Sequence, residues 1–105
     1  MPSPDFRVEF AALPWESPAP NVRFKAVTRN GVQLRLLELG RGFIEHDWCS
    51  RKHIGYVVAG ELVIETPQGS VHVREGEGLV LPGPGAEHKA SPVTDTVTLF
   101  LVEDA

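Results

Sequence analysis

Hydrophobic and polar positions along the chain change over at short range. From Val22 onward, runs rich in Val, Leu, Ile, Phe and Thr are separated by turn-forming clusters at Asn30-Gly31, Pro67-Gln68-Gly69, Gly76-Glu77-Gly78 and Pro82 to Gly85. Runs of four to eight such residues between breakers are the pattern of β-strands. They predict strands over Phe24 to Thr28, Val32 to Leu39, Gly42 to His46, Ile54 to Ala59, Leu62 to Glu65, Val71 to Arg74, Gly78 to Leu81 and Thr96 to Val102. Asn30-Gly31 predicts a tight hairpin, because both residues tolerate positive φ. No stretch sustains apolar spacing at helical period, so little helix is expected. Many short strands in a small chain point to a sandwich or closed barrel, where closure removes exposed edges.

The first twenty residues differ. Pro2, Pro4, Pro14, Pro18 and Pro20 each fix φ and remove a backbone donor, which argues for an arm over residues 1–21 ahead of a single barrel domain over 22–105. Phe6, Val8 and Phe10 alternate with Arg7 and Glu9, so part of that arm is expected to pair at a sheet edge, with Trp15 pinning it down. With 105 residues there is room for one domain. A formal charge of −4 offers no basic field for phosphate backbones, which excludes nucleic acid and favours a small neutral or cationic ligand. No membrane partner is expected either. Cys49 is the single cysteine, and the N-terminus lacks a basic start followed by an apolar run, so a reducing, cytoplasmic setting is expected.

Candidate chemistry lies in the histidines. Alternation along a strand places Ile44 and Trp48 on the face of His46, with Glu45 and Asp47 turned away. On the strand at His53, the same rule puts Gly55, Val57 and Ala59 beside the imidazole, leaving space for a ligand. Leu34, Leu36, Ile44, Val57, Leu79 and Leu99 are the expected apolar lining. His72, between Val71 and Val73, is expected at the surface.

Gly40, five residues, His46, one residue, Trp48, four residues, His53, six residues and Gly60 keep the frame of the first motif of the cupin family. Gly76, five residues and Pro82, then Gly85, two residues and His88, follow the second motif with one inserted residue. The chain therefore resembles a small single-domain cupin over about residues 32 to 102, which implies an all-β double-stranded β-helix, or jelly-roll barrel. Trp48 stands where the family has its second histidine and His53 where it has its glutamate.

By position, the resemblance implies a divalent metal (Fe, Zn, Ni, Mn or Cu) held by His46, His53 and His88, with a position left open for water or substrate. Trp48 becomes a pocket wall, Cys49 a soft ligand if the strand bulges there, and Tyr56 and Glu87 complete the pocket candidates. The implied activity is metal-dependent chemistry on a small organic molecule, of dioxygenase type. The alternatives are a metal-free binding or sensor module, and an oligomerising structural subunit whose pocket is filled by Trp48 and Leu81. Tyr56 and Val58, on the strand face opposite His53, suggest with Phe43 a homodimer.

Overall fold

The computed structural model describes residues 6–105; Pro2 and Pro4 of the expected arm lie outside the described residues. Nine strands run β1 (Glu16–Ala19), β2 (Val22–Arg29), β3 (Val32–Gly40), β4 (His53–Ala59), β5 (Glu61–Thr66), β6 (Gly69–Arg74), β7 (Gly78–Leu81), β8 (Lys89–Pro92) and β9 (Thr96–Asp104). A single 3-10 turn at Phe10–Ala12 is the only helical element among the described residues. The strands form a six-stranded sheet in the order β1-β2-β3-β9-β4-β7 and a three-stranded sheet in the order β6-β5-β8, with every pairing antiparallel. Beyond β4 the chain crosses between sheets repeatedly: β4 to β5, β6 to β7, β7 to β8, and β8 to β9. This is jelly-roll topology. No helix among the described residues is long and apolar enough to cross a membrane.

Two turns show how the sequence sets this path. Asn30 and Gly31 take φ of 52° and 78°, closing the expected two-residue hairpin with Arg29 opposite Val32. Gly60, at φ 81°, carries the chain from one sheet to the other, and a side chain there would collide with the Thr96 carbonyl and the Thr94 hydroxyl. Only glycine fits both demands.

The core lies between the sheets. Leu39, Val57, Val97, Leu99 and Leu101 of the large sheet meet Leu62, Ile64 and Val73 of the small one. Register explains the selection: Arg35, Leu37 and Leu39 pair across β3–β9 with Leu101, Leu99 and Val97, so the odd-numbered residues of both strands share the inner face. Leu34 and Leu36, expected in the cavity, therefore face outward opposite Val102 and Phe100. Strand β3 reads Leu-Arg-Leu-Leu-Glu-Leu from residue 34, so apolar alternation is broken and cannot choose a face. The outward side stays apolar because the N-terminal arm covers part of it, with the Phe10 ring edge-on to Phe100 at 6.1 Å.

The arm departs from expectation in its details. Residues 6–9 form no strand, and Phe6 is exposed; the segment that pairs at the sheet edge is β1, against β2. Trp15 does anchor it, with the Arg23 guanidinium 4.1 Å and the Lys25 ammonium 4.7 Å from its ring centre, and Lys25 Nζ donates to the Phe10 carbonyl at 2.7 Å.

The expected strand Gly42 to His46 is also absent. After a turn at Arg41-Gly42, residues 43–52 run irregularly and make one β-bridge, in which Cys49 and His88 exchange backbone hydrogen bonds of 2.9 and 3.0 Å. With no ladder to fix the phase, packing decides it. Phe43 turns into the core, Glu45 follows it inward, and Ile44 and His46 are left in solvent.

Candidate metal centre and cavity

Between the sheets is a cavity of about 260 Å³. Its walls are mostly apolar, from Leu37, Leu39 and Leu99 on the large sheet to Leu62 and Ile64 on the small one, and its polar groups are Arg35, Glu45, Cys49, Arg51, His53 and His88. Of the expected lining, Leu79 and Leu99 are present, Val57 is wholly buried in the core behind it, and Ile44 is exposed.

Three of the polar groups converge. One ligand atom each from Cys49, His53 and His88 lies within 4.8 Å of the other two, and both imidazoles are buried. His53 opens β4 with its side chain inward, His88 stands just before β8, and the Cys49–His88 bridge brings the irregular segment against both. The two rings meet edge to face at 5.2 Å.

A buried carboxylate orients His53. Its Nδ1 lies 2.5 Å from Glu103 Oε2, and the same oxygen accepts from Arg35 Nη2 at 2.8 Å. A carboxylate can only accept, so in the neutral ring Nδ1 carries the proton and Nε2 turns its lone pair toward the cluster. That nitrogen is 3.7 Å from Cys49 Sγ. A tetrahedral ion bound to a thiolate at about 2.3 Å and an imidazole at about 2.05 Å would hold those two donors about 3.6 Å apart. The spacing fits, and a carboxylate on the remote nitrogen of a ligating histidine is the usual outer support of a metal site. His88 supplies the third donor, its buried ring also interacting with the Ala86 backbone.

Burial and charge favour a neutral imidazole at His88. Burial pushes His88 below the ordinary histidine value, the neighbouring His53 pushes it further, and the Ala86 backbone opposes only in part. Burial raises the Glu103 carboxyl, but the His53 hydrogen bond and the Arg35 charge more than reverse this and leave it below the usual carboxylate range. Glu45 behaves oppositely. Burial lifts its carboxyl above the ordinary value despite the Ala90 N–H, which donates to Oε1 at 2.7 Å, and the charges of His53 and Lys89.

Sequence-derived candidates divide accordingly. His53 and His88 come together, and Cys49 joins them because the chain departs from a regular strand around it. His46 is exposed and lines no part of the cavity, so the expected convergence of three imidazoles is corrected to two imidazoles and a thiol. Trp48 is 42% exposed beneath the Lys89 ammonium, Tyr56 is half in solvent on the outer face, and Glu87 is half-buried away from the lining; none of the three is a pocket wall. Phe43 faces the cavity rather than a partner surface. His72 sits at the rim of the small sheet against Glu61, 2.9 Å away. Sequence reasoning missed Arg35, Glu45, Arg51 and Glu103. The one signal for Arg35 and Glu103 was opposite charge placed inside two otherwise apolar strands.

No protein-family model matches this sequence, and no curated protein matches it. Solved structures do. The chain is similar to KdgF from a Halomonas species, with a TM-score of 0.72, 22% identity and 88% of each chain covered. An RmlC-like cupin from Shewanella frigidimarina superposes with a TM-score of 0.76 at 13% identity, over 96% of this chain and 91% of that one. A mutant oxalate decarboxylase from Bacillus subtilis gives 0.75 at 18% identity, over 92% of this chain but 28% of the larger enzyme. At such identities the likeness speaks for architecture, and with the jelly-roll topology and inward-facing histidines it establishes that this chain is a small protein of the cupin fold.

Proposed function

We propose that this chain binds one divalent metal ion through Cys49, His53 and His88 and acts on a small organic molecule held in the adjoining cavity. The observation that carries the reading is the convergence of three donors within 4.8 Å, with the remote nitrogen of His53 fastened to a buried carboxylate. Of the candidate metals, a thiolate with two imidazoles suits zinc best. When bound, such an ion supplies Lewis-acid polarisation of a carbonyl or of a water at its open position.

The remaining roles belong to the chain. Glu103 fixes the ring orientation of His53, while burial keeps His88 neutral and able to ligate at neutral pH. Apolar walls offer water few partners. Glu45, on the cavity lining and holding its proton to higher pH than an ordinary carboxyl, is the group placed to pass a proton to or from a bound molecule. Dioxygenase chemistry becomes the reading if the purified protein holds iron instead of zinc.

A metal-free binding or sensor module is the second reading, favoured by one contact: Cys49 Sγ and His53 Nε2 already lie within hydrogen-bonding range of each other. Filling of the pocket by Trp48 and Leu81, the structural-subunit alternative, is not favoured, since Leu81 lines the cavity but leaves it open and the indole lies outside it. A homodimer belongs to the proposal as well, because Ile54, Tyr56, Val58 and Val80 form an exposed apolar strip on β4 and β7 that a second copy would cover. A single cysteine serving as a thiolate ligand suits a reducing compartment, so cytoplasmic residence is part of the same reading.

Elemental analysis of protein purified without chelator separates the two main readings. One equivalent of metal, lost in a Cys49→Ser, His88→Ala variant, supports the metal centre. No retained ion, even after titration with Zn(II), Fe(II), Ni(II), Mn(II) and Cu(II), overturns it.

A further inference from the structure

The charged groups lining the cavity are not equivalent. Arg35 is committed to Glu103 at 2.8 Å, and Glu45 gives one oxygen to the Ala90 N–H. Arg51 lines the same space, is exposed, and has no hydrogen bond or ion pair with any described residue. Elsewhere Arg23, Arg41 and Arg74 each reach a carboxylate, on Glu38, Asp95 and Glu61 respectively. Arg51, exposed on the lining of a mostly apolar cavity and two residues from each of two candidate metal ligands, is thus the one arginine there with its full donor fork unspent.

We infer that the ligand of this cavity is a short apolar molecule with an anionic carboxylate head, and that Arg51 receives that head. The inference rests on the proposal that the cavity takes a small molecule, but not on the metal. The guanidinium is planar and presents paired N–H donors matching the two oxygens of a carboxylate. The apolar walls receive the body, and about 260 Å³, just under the range of about 300–1,000 Å³ usual for small-molecule sites, limits that body to a short one. Local charge thus opposes the preference for a neutral or cationic ligand suggested by the chain's net charge of −4. A net acidic surface acts at long range and is screened by salt, whereas Arg51 acts at contact.

Hexanoate and hexanamide share a shape and differ in charge. Their binding is measured by NMR titration, on chelator-treated and on zinc-loaded protein. In the chelator-treated wild type, hexanoate is expected to bind about three- to tenfold more tightly, a modest factor because Arg51 is exposed to water. Arg51→Gln is expected to abolish the preference and Arg51→Lys to keep part of it, both with wild-type zinc content. Equal affinities in the wild type, a preference that survives Arg51→Gln, or no binding of either probe at millimolar concentration overturns the inference. A protein that retains none of the five candidate ions but still prefers hexanoate overturns the metal reading alone.

Discussion

Glu103 links the fold to the site, and replacing it with glutamine tests the link. The carboxylate is 4% exposed and its Oε2 serves both Arg35 and His53. Removing one member of a buried ion pair costs about 3–5 kcal/mol, chiefly by stranding the other charge. Glutamine keeps one acceptor oxygen, and the Arg35 side chain is itself 20% exposed, so the loss belongs at or below the lower end, about 2–3 kcal/mol. For a domain of this length that lowers Tm by about 10–20 °C. Urea unfolding of the metal-free protein at pH 7 reads the loss, and adding Arg35→Met should recover at least half of it by removing the stranded cation. The pH dependence carries a sign. Because the Glu103 carboxyl sits below its unfolded value in the folded protein, its stabilisation is complete above about pH 4.5 and disappears as pH falls through the folded value. The gap between wild type and Glu103→Gln should therefore narrow in acid. A gap under about 0.5 kcal/mol at pH 7, below the usual net worth of one hydrogen bond, or one that does not change with pH, would refute the account of this carboxylate.

Other perturbations address separate parts of the argument. Cys49→Ser should lower zinc affinity by at least about tenfold in a competition titration, the scale seen even for outer-support groups, while His46→Ala leaves it unchanged; the reverse pattern would restore the three-imidazole set. Glu45→Gln should become progressively more stable relative to wild type between pH 4 and pH 7 in urea unfolding of metal-free protein. The raised Glu45 carboxyl favours folding only while protonated, below about pH 4.5, and loses that contribution as pH rises through its folded value. Gly60→Ala should cost well over about 1 kcal/mol in the same assay, through positive φ and the clash with Thr96 together. Val80→Lys should convert a dimer to monomers on size exclusion with light scattering if the β4–β7 strip is the interface.

Much of the fold was legible because its signals are local. Asn30-Gly31 names its own hairpin, and the runs that became β2, β3, β4, β5, β6, β7 and β9 are bounded by residues that stop strands. The short strands β1 and β8 were not, since Glu16–Ala19 and Lys89–Pro92 each contain a proline and gain strand geometry only from β2 and β5 beside them. The site was half legible. His53 and His88 lie on or beside regular strands whose phase is fixed by pairing. His46 lies on an irregular segment, where the inward turn of Phe43 set the phase and reversed Glu45 and His46. Arg35 and Glu103 are 68 residues apart and gain meaning only through the β3–β9 register.

The central claim is that one ion is held by a thiolate and two imidazoles, and zinc K-edge X-ray absorption of the loaded wild-type protein tests it most directly. The account predicts one sulfur at about 2.3 Å and two imidazole nitrogens at about 2.0–2.1 Å, with the sulfur shell gone in Cys49→Ser. A spectrum with no sulfur shell, or a protein that takes up none of the candidate ions stoichiometrically, contradicts it.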